Sequence, residues 1–460
     1  MADYTDSNVV VLGAGLTGLS LARYLSRHGA TVRVADTRGS PPKAAELAAA
    51  CPGVPLVTGP VTAETLAGAE LIAISPGVAQ AQAAIVAAAA RGVDVAGDIE
   101  IFARALPPEQ KVLAITGSNG KSTVTALTGA LCRAAGMSTV VAGNIGDAVL
   151  DVIAPFEAGQ PWPDVFVLEL SSFQLETTRS LAPTAAAVLN VTDNHLDRYA
   201  GMDEYAEAKA RIFAGGGVQV VNRDDQRTLA MRSDGRMVES FGANVPQSEG
   251  EWGLVEFHGA TWLARGGELL LHADALTLVG RHNALNALAA LALVSTVARI
   301  DRRVLDAVRS FGGLPHRMER VAEWRDVLFI NDSKATTVVA TQAALDGIGR
   351  PAILICGGDG KGQDFRPLKA AVDAGCRAVL LIGRDAPALA HALEGSRATV
   401  EVVRTLEAAV ERAMVLAQPG DAVLLSPACA SLDQFKSYVE RGERFAALVT
   451  AGERSACVSA

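Results

Sequence analysis

"KVLAITGSNGKSTVTALTGALCRAAG", residues 111–136, is the stretch on which the reading of this 460-residue chain turns. It opens on an apolar run, passes through a glycine-rich loop and continues as an Ala- and Leu-rich segment of helical pattern. Strand, glycine loop and helix in that order aim several backbone N–H groups at one point, which suits phosphate oxygens. Lys121 adds a point charge for the outer phosphates of a nucleotide, and Ser122 a hydroxyl for Mg²⁺. The longer form of such a loop would carry glycine at 115, where this chain has Ile115; the tighter form here runs from Gly117 to Ser122.

Upstream lies a second glycine turn, "GAGLTG", with Gly13, Gly15 and Gly18. It follows the strand-like "NVVVL" and opens a helical segment closed by Gly29, and Asp36 ends the next strand, "TVRVAD". Taken alone this is a dinucleotide fingerprint with an acidic residue for a ribose hydroxyl, and it leaves NAD or FAD open beside another nucleotide or a structural turn. "ELIAISPGVA" is a later strand stopped by Pro-Gly. Such alternation argues a parallel sheet with helices on its faces.

A loop or short helix over 97–110, with Pro107 and Pro108 as boundary markers, leads to the new start at Lys111. The middle section contains the strand-like "DVFVLELSS" and "AAAVLNVT", and an irregular stretch, 240–280, that suggests a small antiparallel patch. At "GGLPHRME" the pattern resets. "VLFIND", "PAILICGG", "AVLLIG" and "DAVLLSP" then read as four strands separated by helices. The expected fold is α/β in three domains: Rossmann-like over 1–98, a central P-loop ATPase-type domain over 99–314, and a C-terminal Rossmann-like domain over 315–460.

Ligands of open parallel sheets lie beyond the carboxyl ends of the strands. Glu169 ends one such strand, where a buried carboxylate without a partner would be costly, so a metal or a cation is the physical reading. His195 lies in a polar loop with acidic neighbours. A lone histidine is more often structural, but its strand-end position matches that of Glu169. Lys209, in "DEYAEAKARIF", reads by itself as a solvated helix lysine.

Half the residues are apolar, a fifth are charged and the net charge is −9, a globular profile with no basic field for a nucleic-acid backbone. The N-terminus lacks the layout of an export signal, and the longest weakly polar stretch, 284–298, is too short for a bilayer. The six cysteines show no CxxC spacing, as expected of free thiols in a reducing cytoplasm.

"GSNGKST", "GNIG", "ELSSFQLE", "NHLDRY", "GRHNALNALAA", "LPHRME", "NDSKATT", "GGDGKGQDF" and "LLSPACASLDQF" follow one another between residues 117 and 435. Any one of them is weak; the ordered set resembles the Mur ligase family of ATP-dependent peptidoglycan-precursor enzymes, over about residues 8–445. The resemblance implies that ATP phosphorylates a carboxylate and that an amino acid's amine then displaces phosphate. It is strongest to the branch that adds D-glutamate to UDP-N-acetylmuramoyl-L-alanine. A sibling adding a different amino acid, or an NAD-dependent dehydrogenase using the N-terminal fold, is the alternative.

Carried over by motif, the resemblance implies ATP phosphates on Gly117, Ser118, Asn119, Gly120, Lys121, Ser122 and Thr123. Adenine would meet Asn283 and Asn286, and Arg317 and Asp332 would contact phosphate and ribose. Two Mg²⁺ ions would be shared among Ser122, Glu169, His195 and Lys209, the last if carbamylated, and Lys121, Glu169, His195 and Lys209 would be catalytic. Leu16, Thr17, Thr37, Arg38, Gly77, Asn144 and His195 would hold the UDP-linked substrate. Lys334, Thr336, Lys361, Ser431 and Tyr438 would surround D-glutamate, with Tyr438 standing where phenylalanine is expected. A cytoplasmic monomer is expected, without nucleic-acid partners or a membrane span.

Overall fold

The computed structural model describes residues 3–193, 198–278 and 280–458. The first sheet consists of β1 (Asn8–Leu12), β2 (Thr31–Asp36), β3 (Leu56–Thr58), β4 (Leu71–Ile74) and β5 (Asp94–Gly97), in the order β3-β2-β1-β4-β5 and parallel throughout. β4 is buried along its whole length, and β1 beyond Asn8. That is why both read as continuous apolar runs rather than alternating ones.

The second sheet has nine strands: β6 (Lys111–Thr116), β7 (Thr139–Gly143), β8 (Val165–Glu169), β9 (Ala185–Val188), β10 (Val218–Asn222), β11 (Val238–Phe241), β12 (Glu251–Phe257), β13 (Ala260–Arg265) and β14 (Glu268–His272). Their order is β14-β13-β12-β11-β10-β9-β6-β8-β7. The antiparallel patch expected over 240–280 is confined to β12, β13 and β14, because β11 pairs parallel with both β10 and β12.

The third sheet is β15 (Glu319–Trp324), β16 (Val327–Asn331), β17 (Ala352–Gly357), β18 (Cys376–Ile382), β19 (Thr399–Arg404) and β20 (Ala422–Leu425), ordered β15-β16-β20-β17-β18-β19. The four expected strands are the inner ones. The reading missed the two edges, β15 and β19, which are only partly buried and carry charged residues among their apolar ones. An edge strand has one free side and needs no unbroken apolar run.

The chain packs as two compact units, Met1–Ala275 with Leu285–Arg309, and Leu276–Ala284 with Ser310–Ala460. Within the first unit the first two sheets share one core. The segment after β5 supplies much of it: the helix Asp98–Ala105 buries Ile99, Ile101, Phe102 and Ala105. The Phe102 ring meets Phe166 of β8 edge-on, with centroids 5.4 Å apart. Polar bonds pin the same seam. Glu100 accepts the backbone N–H groups of Arg179 and Ser180, and Glu157 accepts the hydroxyl of Tyr24. Among the described residues no helix is long and apolar enough to cross a membrane.

Phe102→Ala removes a fully buried ring from this seam and should destabilise the first unit by about 3–5 kcal/mol. Urea unfolding followed by tryptophan fluorescence checks this, since Trp162 lies 6.2 Å from Phe166, centroid to centroid.

Candidate active site

The loop after β6 closes on the helix Lys121–Ala134 through Gly120, whose φ of +83° is left-handed. A Cβ there would also stand 2.8 Å from Asn286 Oδ1, so glycine is required twice over. Asn190 braces the loop by accepting the N–H of Asn119 and donating to its carbonyl. Ser118 Oγ donates to the Thr192 carbonyl and accepts the Thr192 N–H. Lys121 Nζ lies against the Gly117 and Ser118 carbonyls at 2.8 and 3.0 Å. Ser122 is buried at the start of the helix, and Thr123 is half-buried.

Glu169 ends β8, and the β6–β8 register sets it opposite Ile115, at the strand end from which the loop springs. Its side chain is buried. Oε1 accepts Asn144 Nδ2 at 2.8 Å, and Oε2 has no hydrogen-bond partner. An unpaired buried carboxylate oxygen is costly, so the donor set fits a cation that arrives with a ligand.

Lys209 corrects the reading of a solvated lysine. It lies on the helix Met202–Ala210 at 1 % exposure. Nζ donates to the Gly117 carbonyl at 3.1 Å and sits 4.3 Å from the centroid of the Tyr205 ring. Burial and then the charge of Lys121 bring its pKa from 10.5 down to about 7. The i, i+4 spacing of Tyr205 and Lys209, which puts both on one helix face, was the available signal for that pairing. His195 lies outside the described residues.

The first glycine turn forms one wall of a cavity of about 700 Å³. Leu16, Thr17, Thr37, Arg38, Gly77 and Asn144 all line it. A Cβ on Gly18 would overlap the Gly13 carbonyl, so the helix can approach the turn only with glycine there. Leu16 is 69 % exposed at the helix start, apolar surface suited to a flat base. Asp36 is not open to a ribose. Its carboxylate accepts the N–H of Ala14, the N–H of Arg38 and two bonds from the Arg38 guanidinium, at 2.6 to 2.9 Å. Four bonds fill the acceptor capacity of a carboxylate. The Arg38 guanidinium and the two backbone N–H groups hold its pKa well below the usual range.

In the second unit the loops after β16, β17 and β20 are knitted together. Asp359 and Ala430 exchange backbone hydrogen bonds, and Gln363 bridges the Val338 N–H to the Ala428 carbonyl. Arg441, which the sequence reading missed, donates to Ser333 Oγ, the Ser333 carbonyl and the Cys429 carbonyl while almost fully buried. Burial lowers its pKa to about 10.

These loops carry Asp332, Lys334, Thr336, Lys361 and Ser431, and Tyr438 opens the last helix, Tyr438–Val458. Lys334 Nζ lies 5.2 Å from the centroid of the Tyr438 ring, and the Tyr438 carbonyl accepts the Ser333 hydroxyl. Asp332 accepts the Ser426 hydroxyl and the Met318 N–H, and burial raises its pKa to about 7. Arg317 is half-buried one residue before Met318, and Asn283 is buried three residues before Asn286 on the helix Arg281–Ser295.

The sequence matches three family models that together span most of the chain: the Mur ligase MurD-like N-terminal domain over 7–97, the Mur ligase middle domain over 115–294, and the Mur ligase glutamate ligase domain over 316–429. The chain belongs to the Mur ligase family. Its curated relatives include two proteins named UDP-N-acetylmuramoylalanine–D-glutamate ligase. That of Thiobacillus denitrificans is 54% identical and aligns over 95% of this chain and 94% of its own. That of Aromatoleum aromaticum is 53% identical over 97% and 98%. The fold is also that of the UDP-N-acetylmuramate-alanine ligase MurC of Thermotoga maritima, with a TM-score of 0.59 at 19% identity over 97% of this chain and 99% of that one.

Between pH 7 and 10.5 an unfolded chain binds a proton at Lys209 that the folded chain does not. Stability therefore rises with pH across that window. Lys209→Met removes this penalty. In CO₂-free buffer its gain over the wild type should be on the order of a few kcal/mol below about pH 7 and shrink as the pH rises toward the ordinary lysine value. Urea unfolding at about pH 6 and about pH 9 measures it, and a pH-independent gap would contradict the buried neutral amine.

Proposed function

We propose that this chain is an ATP-dependent ligase that joins D-glutamate to UDP-N-acetylmuramoyl-L-alanine, releasing ADP and phosphate, in the cytoplasmic synthesis of peptidoglycan precursors. The observation that carries it is Asn144. It lines the first cavity, and its side chain donates to Glu169 at the end of β8. The wall of a nucleotide-sized cavity is thereby tied to the strand end that lies opposite Ile115, just before the glycine loop. Full-length relatives bearing the ligase name support the same reading.

In this reading residues 1–98 hold the UDP end of the acceptor, with Leu16, Thr17, Thr37, Arg38, Gly77 and Asn144 around it. Residues 99–314 hold ATP, its phosphates on the N–H groups of the loop from Gly117 to Thr123 and on Lys121, its adenine against Asn283 and Asn286. Residues 315–460 carry Arg317 and Asp332, which we assign to phosphate and ribose. They also offer Lys334, Thr336, Lys361, Ser431 and Tyr438 to D-glutamate, whose two carboxylates call for cations and hydroxyls.

A free carboxylate is a poor acylating agent, because its leaving group would be hydroxide or oxide. The acceptor carboxylate oxygen attacks the γ-phosphorus, ADP leaves, and an acyl phosphate results. The neutral amine of D-glutamate then attacks the acyl carbon, the C–O bond to phosphate breaks, and the nitrogen gives up a proton, which phosphate can take as it leaves, to form the amide. Lys121 offsets charge on the transferring group.

Ser122 and the unpartnered oxygen of Glu169 fit Mg²⁺, which when bound would neutralise phosphate charge; magnesium sites of this kind take one or two carboxylates and complete themselves with nucleotide oxygens. A neutral Lys209 amine can add CO₂ and lose a proton, which turns a neutral group beneath the Gly117 carbonyl into a carbamate anion. We assign His195 the role of a further Mg²⁺ ligand. The dehydrogenase reading loses its ribose contact, because Asp36 is saturated by Ala14 and Arg38.

Phosphate release from ATP in the presence of UDP-N-acetylmuramoyl-L-alanine should occur with D-glutamate and not with L-glutamate, L-lysine or meso-diaminopimelate. Lys121→Ala should abolish it, a loss of more than about 100-fold. Release with a different amino acid would move the chain to a sibling reaction. Release with none, together with nicotinamide binding, would restore the dehydrogenase.

A further inference from the structure

Arg198, in "NHLDRY", joins two segments far apart in sequence. Its Nη1 donates to the Pro76 carbonyl at 3.0 Å, and its Nε and Nη2 grip the two oxygens of Glu176 at 3.2 and 2.6 Å. The guanidinium lies over the Phe173 ring, 4.1 Å from its centroid. Pro76 precedes Gly77 in the loop after β4, and both line the first cavity. Phe173 and Glu176 belong to the turn that follows Glu169, whose short helix Ser172–Leu175 is set by a capping box between Ser171 and Gln174. Glu176 is anchored in turn by the Tyr199 hydroxyl at 2.6 Å.

We propose that Arg198 is a positioning residue for the ligase reaction: it locks the Pro76–Gly77 wall of the acceptor cavity to the segment that carries Glu169, so that acceptor and phosphoryl group meet in one frame. This rests on reading the first cavity as the acceptor site. Three hydrogen-bond directions and a stacked plane are used at once, which a guanidinium supplies and an ammonium does not. The strand end bearing Glu169 and the loop bearing Gly77 come from different sheets, so their relative placement needs a rigid tie. Misplacement of reacting groups by about 1 Å costs on the order of 100-fold in rate.

The test is steady-state kinetics on the full chain with Arg198→Lys and Arg198→Gln, with Tyr199→Phe as the control that leaves the Pro76 bond in place. Thermal unfolding and binding of UDP alone are measured on each. Both Arg198 variants should lower kcat about tenfold and raise the acceptor KM about tenfold, with the ATP KM and UDP affinity changed less than about twofold. Arg198→Lys should fail to rescue, and Tyr199→Phe should stay near the wild type. Variants with unchanged kcat and acceptor KM overturn the proposal. So does a uniform loss of all substrates that tracks a fall in Tm. A wild-type chain that binds no UDP overturns the acceptor-site reading first, and this inference with it.

Discussion

A buried carboxylate oxygen that nothing donates to is the constraint around which the first unit is arranged. Glu169 gives one oxygen to Asn144 and leaves the other bare. Such an atom costs folding free energy unless a water, an ion or a ligand completes it. Lys121 is laid along the carbonyls of its own loop, and Lys209 is kept near neutrality by burial. The seam through Phe102 and the brace from Asn190 supply the rigidity that lets the strain persist.

The second unit solves a related problem by other means. Three loops leave parallel strands at the same end, and loops of that kind wander unless tied. Arg441 and Gln363 tie them through backbone carbonyls, which leaves side chains such as Lys334 and Ser431 out of the fastening. Tyr438 keeps an aromatic face under Lys334.

Much of this architecture was legible because parallel strands buried on both faces spell themselves as apolar runs, and because glycine loops between strand and helix have few other uses. Glu169 could be placed at a strand end from "VFVLELSS" alone. What escaped notice was set by tertiary context. Edge strands β15 and β19 mix charge with apolar residues, and β11 is four residues long and half polar. Lys209 looked solvated because its helix has acidic neighbours on the outer face, and only the fold turns the lysine inward beneath Gly117. Asp36 was given the part of a ribose acceptor, and no pattern two residues apart announced that Arg38 would fold back and occupy it. Arg441 sits in "YVERGERF", where nothing distinguishes one arginine from another until three carbonyl and hydroxyl partners converge on it.

The folded-back Arg38 bears on how the first cavity can be addressed by small molecules. Its charge is already spent on Asp36, so the pair presents nearly no net field to the cavity. A compound built with an acid group to attract that arginine would have to compete with an internal carboxylate held in ideal fork geometry. Inhibitor design at this end is better served by a neutral flat ring that slides over Leu16 and meets Thr37 edge-on. Anionic groups belong further in, toward the backbone N–H groups of the glycine turn.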